Sequence, residues 1–116
     1  MPSDPSPILD IDPSAARRLL ETGAFLLDVR EDDEWDAGHA PEATHVAMSL
    51  ISDRIAEIPS NRTVVCICRV GGRSGAVAAA LGGAGYDVRN VDGGMLAWKA
   101  AGYPVVGGSG DPGRIV

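Results

Sequence analysis

Five short apolar runs, each separated from the next by a helix-spaced or polar stretch, set the strongest limit on what this chain can fold into. The runs are ILDID (8–12), AFLLDV (24–29), HVAM (45–48), TVVCI (63–67) and DVRNV (87–91). TVVCI is the most β-branched of them, which suits a central strand covered on both faces. Helix signals fill the gaps. Asp12 before Pro13 reads as an N-cap followed by a first-turn proline, SAARRLLET continues that helix, and Gly23 closes it. REDDEWDAGHAPEAT is polar, with one helical turn at 32–37. In SLISDRIAEI (49–58), Leu50, Ile51, Ile55 and Ile58 fall at helix spacing, and Pro59 ends the stretch. RSGAVAAALGGAGY predicts a helix over 73–82 and GGMLAWKAA one over 93–101, each closed by glycine. Connections of this length are not hairpins. They predict an α/β fold with a parallel sheet flanked by helices on both faces.

With 116 residues, the chain suits one domain that buries a core without disulfides or metal. Residues 1–7 are Pro/Ser-rich and expected to be loose, 8–106 form the domain, and 107–116 form a flexible Gly-rich tail. A formal charge of -6 speaks against nucleic acid and anionic membranes as partners. The ten Lys and Arg still leave room for a small anionic substrate. No apolar run reaches the length of a membrane span. MPSDPSPILD has neither the basic start nor the apolar core of a secretory signal, so a cytoplasmic location is expected. Cys66 and Cys68, two apart along a strand, are poorly placed for a disulfide. The two histidines, His39 and His45, match no common metal spacing, so no metal is expected.

Cys68 lies just past the end of the central strand, and a helix begins near Arg73. In an open parallel sheet that edge is where ligands bind. Main-chain N–H groups of the loop and the helix dipole face such a position with partial positive charge. Gly71 and Gly72 let successive N–H groups turn inward as an anion-holding nest, and Arg69 and Arg73 add full charges. Cysteines in such settings have pKa values roughly one to five units below the free value near 8.5, which makes Cys68 a nucleophile, ionised and exposed at the mouth of its loop. Cys66, inside the strand, reads as core packing.

The loop CRVGGRS (68–74) resembles the active-site loop of the rhodanese sulfurtransferase family. LLDVREDDEWDAGHAPEA (26–43) is similar to that family's strand ending in Asp-x-Arg, with its Glu and Gly-His-x-Pro turn. NVDGGMLAWKAAGYPV (90–105) is similar to its last strand, Gly-Gly helix start and Trp-containing helix. The three segments stand in the family's order and span about 100 residues; Glu42 stands where glycine is common. The resemblance implies a rhodanese-like three-layer sandwich with a five-stranded, mostly parallel sheet. It implies transfer of a sulfane sulfur from thiosulfate or a similar small anionic donor to a thiol, cyanide or protein acceptor, with no cofactor. It places the nucleophile on Cys68 and the substrate cradle on Arg69, Val70, Gly71, Gly72, Arg73 and Ser74.

Two other readings fit parts of the pattern. A cysteine phosphatase or arsenate reductase would carry five residues between Cys and Arg, where this chain has four, a smaller cradle suited to one added sulfur. A non-catalytic binding module of the same fold would be expected to lack the cysteine, which is present. Asp28, at a strand end, is a candidate to orient Arg30 or a loop arginine. Arg30 and Glu34 have the spacing of an ion pair. His39 reads as stabilising its turn, and Trp35 and Trp98 as packing anchors.

Overall fold

The computed structural model describes residues 9–109 and 111–116; the expectation of a loose 1–7 segment lies outside the described residues. Five strands form one sheet in the order β1-β5-β4-β2-β3: β1 (Leu9–Ile11), β2 (Phe25–Asp28), β3 (Thr44–His45), β4 (Val64–Ile67) and β5 (Val88–Val91). All described pairings are parallel, as the long connections require. The β-branched run is the central strand, β4, and all four of its residues are buried.

Period-two alternation divides the core between the two faces of the sheet. Leu27, Val64, Cys66, Cys68 and Val88 face one side, where Val77, Ala78 and Leu81 of α3 (Gly72–Gly83) cover them. Leu26, Val65, Ile67 and Val91 face the other, beneath Ala16 of α1 (Pro13–Glu21) and Met95 and Trp98 of α4 (Gly94–Ala100). The three-layer expectation therefore holds. The cap of α1 is as expected: Asp12 Oδ1 accepts from the Ala15 N–H at 2.8 Å, with Pro13 in the first turn. The short α2 (Asp32–Ala37) fills the polar connection after β2.

The expected helix over 49–58 does not form. Two 3-10 turns, Met48–Leu50 and Ile55–Glu57, stand in its place. Of the four helix-spaced apolar residues, only Ile58 is buried and Ile51 half-buried, while Leu50 and Ile55 stay exposed. A short helix draws most of its stability from a packed apolar face, and this segment has no continuous face to pack.

After α4 the chain runs back along the end of the sheet near α2. Val106 bridges His39 and Pro112, Arg114 N–H donates to the Ala37 carbonyl at 2.9 Å, and Ile115 packs against the α1/α4 core. The described part of the glycine-rich segment thus lies against α2.

Candidate active site

Cys68 is the residue after β4, at the carboxyl edge of the sheet. Its neighbours on that edge are Asp28, paired in register with Ile67, and Asn90, paired with Cys66. The loop turns at Gly71, whose φ of +112° lies in the left-handed region that side chains avoid. Gly71 is the N-cap of α3, so the turn and the helix start are one feature. A second helix fixes the loop from behind. The N–H groups of Met95 and Leu96, in the first turn of α4, donate to the carbonyls of Cys68 (2.8 Å) and Arg69 (3.2 Å). A Cβ on Gly94 would overlap the Cys68 carbonyl and lie 2.5 Å from that of Arg69, so only glycine permits this approach. With these carbonyls drawn toward α4, the loop's N–H groups face Sγ.

Gly71 N–H donates to Cys68 Sγ at 3.1 Å, and Ser74 Oγ lies 3.2 Å from it. Burial pushes the Cys68 thiol up. Hydrogen bonds from the Ser74 hydroxyl and from the main-chain N–H groups of Ser74, Gly71 and Val70 outweigh that, and the net pKa lies below the ordinary value. Cys66 is the contrast: burial, with the adjacent Cys68 charge, pushes it up to about 12. The strand thus buries a thiol held in its neutral form, and the residue just past its end carries one whose charged form is favoured.

The inward-turned amides are as expected, but the exposure is not. Cys68 is only 1 % exposed, because the loop closes over the sulfur; Val70, on the outside of the loop, is 54 % exposed. The arginines also differ in their arrangement. Arg73 forms a two-pronged pair with Glu34 (2.7 and 2.8 Å), so its charge is largely answered from α2. That pair holds Glu34 down at about 2 and raises Arg73 further. Arg69 turns outward and donates from Nε to the Val116 carbonyl at 3.1 Å. The thiolate is therefore favoured mainly by hydrogen bonds, with the guanidinium groups secondary.

Asp28 and Arg30 are both fully buried and joined by Nη2–Oδ2 (2.8 Å) and Nε–Oδ1 (3.0 Å) contacts. Arg30 also donates to the Gly38 carbonyl at 2.8 Å and the Glu34 carbonyl at 3.3 Å, so it ties the middle and the C-terminal cap of α2 to β2. Its partner in sequence spacing, Glu34, contributes only that carbonyl to Arg30; the carboxylate belongs to Arg73. His39 bonds Trp35 through its ring Nδ1 and the Trp35 carbonyl at 2.8 Å and stacks on the indole, a turn-stabilising role as expected. Trp98 is buried and donates to the Pro104 carbonyl at 3.0 Å.

One residue at the site was not singled out from the sequence. Asn90, buried near the end of β5, donates to the Gly71 carbonyl at 3.0 Å and accepts from Ser74 Oγ at 2.6 Å. Its position on the carboxyl edge beside the central strand was the available signal.

A rhodanese-like domain model matches residues 12–101. This chain belongs to the rhodanese-like domain family. It is 39 % identical over 95 residues to the thiosulfate sulfurtransferase GlpE of Pseudomonas savastanoi, covering 81 % of this chain and 89 % of that one. It is 40 % identical over 99 residues to a sulfurtransferase of Allochromatium vinosum, covering 84 % and 92 %. Among solved structures, a rhodanese-related protein of Thermoplasma volcanium superposes with a TM-score of 0.78 at 26 % identity over 84 % of this chain and 97 % of its own. A rhodanese-like domain protein of Staphylococcus aureus gives 0.72 at 31 % identity over 78 % and 91 %. Likeness of this extent supports a rhodanese-type sulfurtransferase, which has a sulfur donor and a sulfur acceptor. Among the described residues no helix is long and apolar enough to cross a membrane.

Proposed function

We propose that the chain carries sulfur as a persulfide on Cys68. The observation behind this reading is that hydrogen-bond donors converge on a sulfur removed from solvent: a buried thiol with no such donors would stay protonated, as Cys66 does. The Cys68 thiolate attacks the outer sulfur of thiosulfate. An Sγ–S bond forms, the S–S bond of thiosulfate breaks, and its electron pair leaves with sulfite. A thiolate or cyanide then attacks the outer sulfur of the persulfide, takes it, and returns the electron pair to Sγ. Sulfite is a stable anion and leaves without a proton, so the first step needs no general acid.

In this reading Gly71 and Ser74 hold the charged sulfur. Gly72 leaves room at the helix start. Val70 and Arg69 form the outer wall past which the donor enters, and Arg73 with Glu34 ties the loop to α2. Asp28 and Arg30 support α2 from below. The transferring unit is residues 8–106, with the 107–116 segment as an appendage, working in a cytoplasm that keeps the thiols reduced. Mass spectrometry tests the reading. Thiosulfate should add one sulfur atom to Cys68, cyanide should remove it as thiocyanate, and Cys68→Ser should gain none. Turnover of an aryl phosphate in place of sulfur loading would favour a phosphatase, and neither activity would favour a binding module.

A further inference from the structure

Asn90 has both of its amide hydrogens in use. Nδ2 donates to Asp10 Oδ1 and to the Gly71 carbonyl, each at 3.0 Å. Reversing the amide would set its oxygen against two other oxygens, so Oδ1 must be the atom that faces Ser74. Ser74 Oγ lies 2.6 Å from that Oδ1 and 3.2 Å from Cys68 Sγ. Both Ser74 and Asn90 are buried away from bulk water. A serine hydroxyl carries one proton, and here two acceptors compete for it. A charged sulfur draws the proton, because hydrogen bonds to ionised partners are about twice as strong as neutral ones. A sulfur without charge is a weak acceptor and yields it to the amide oxygen. In the reaction above, Sγ alternates between these conditions: charged as the thiolate, and neutral once bonded to the outer sulfur, which then bears the charge.

We propose that Asn90 is a positioning residue for sulfur transfer, its Oδ1 accepting the Ser74 hydroxyl hydrogen bond when charge leaves Cys68 Sγ. The inference rests on the persulfide reading. Without Asn90, the buried Ser74 donor would lack a good acceptor in the persulfide, and a donor left so costs free energy. It would also donate to the thiolate without competition. Both effects favour the unloaded enzyme. The charged and titratable groups facing this network are Arg73 and Cys66, each coupled to Cys68, and Asp10 beyond Asn90. A substitution at position 90 leaves the first two in place.

The test compares Asn90→Ala, Ser74→Ala and the double variant with the native chain, using the pH midpoint of Cys68 alkylation by iodoacetamide and steady-state kinetics with thiosulfate. The midpoint should fall in Asn90→Ala, rise in Ser74→Ala, and in the double variant match Ser74→Ala alone. In Asn90→Ala, kcat should drop about tenfold with KM changed less than about twofold. A midpoint that rises in Asn90→Ala, or moves equally whether or not Ser74 is present, would overturn the inference and leave Asn90 a tether for Gly71. Should Asn90→Ala not fold, NMR of the native chain decides. The Asn90 side-chain carbonyl resonance should shift on sulfur loading, and an unmoved resonance in fully loaded protein would sink the role. Alkylation needs no sulfur donor, so a native chain that gains no sulfur counts against the persulfide itself. A loaded native chain with the wrong midpoints counts only against Asn90.

Discussion

Cys66, inside β4, and Cys68, just past its end, share a face and near-complete burial, yet their thiols are pushed in opposite directions. What separates them is the donors at Sγ of the second, because hydrogen bonding to the charged form can exceed the desolvation penalty. Alkylation of Cys68 should therefore rise through a midpoint below that of free cysteine, near 8.5. The sign follows from linkage. A lowered folded-state pKa makes the thiolate a source of stability above the unfolded value, lost as pH falls through the folded one. Cys66 should stay unmodified in the same titration. Cys66→Ala should retain sulfur transfer and lose roughly 1–2 kcal/mol of stability in urea denaturation, the cost of a small core cavity. The division of roles was legible in the sequence, since one cysteine lies within an apolar run and the other beyond its end. Ser74's share in it was legible only as a family position.

Two helix starts shape the loop from opposite sides. α3 begins at the left-handed Gly71 and aims its first N–H groups at the sulfur. α4 draws in the carbonyls of Cys68 and Arg69. The Gly-Gly pair at 93–94 was legible as a helix start. Its contact with a loop 25 residues earlier was not, because spacing along a chain carries no record of which loop a helix will meet. Gly94→Ala tests this contact. The added methyl would overlap the Cys68 carbonyl in a backbone region (φ +56°) that alanine avoids. It should cost roughly 2–4 kcal/mol and remove sulfur loading, as read by denaturation and mass spectrometry. The 49–58 segment teaches the converse: apolar spacing predicted a helix, and the absence of a face to bury left two 3-10 turns.

At the scale of the molecule, α2 joins the sheet to the Cys68 loop. Asp28 orients Arg30, Arg30 holds the carbonyls of Glu34 and Gly38, and the Glu34 carboxylate holds Arg73. The described residues after Val106 meet the same helix through its Asp36 and Ala37 carbonyls, and reach the loop at Arg69. Removing one member of the buried Asp28–Arg30 pair would strand the other charge. The Glu34–Arg73 pair is more open and should respond to acid. Glu34 is held down at about 2 against an ordinary 4.5, so its contribution is complete above pH 4.5 and disappears as pH falls from there toward about 2. After solvent screening this amounts to about 1–2 kcal/mol. Glu34→Gln should be less stable by that amount at neutral pH. It should match the native chain near pH 2 in urea titrations run across that range.

The alternation of apolar runs determined the parallel sheet, the central place of the 63–67 strand and the loop at its end. Those follow from period-two and helical patterning, which is local. The proposal of Cys68 as the nucleophile at that edge, and the reading of Cys66 as core, rest on the same local logic. The tertiary structure decided what the loop's charges and donors meet: Arg73 with Glu34, Arg69 with Val116, Ser74 with Asn90, and the closure over the sulfur. Each of the three pairings joins residues far apart along the chain, and such a pairing exists only once the fold has brought those segments together.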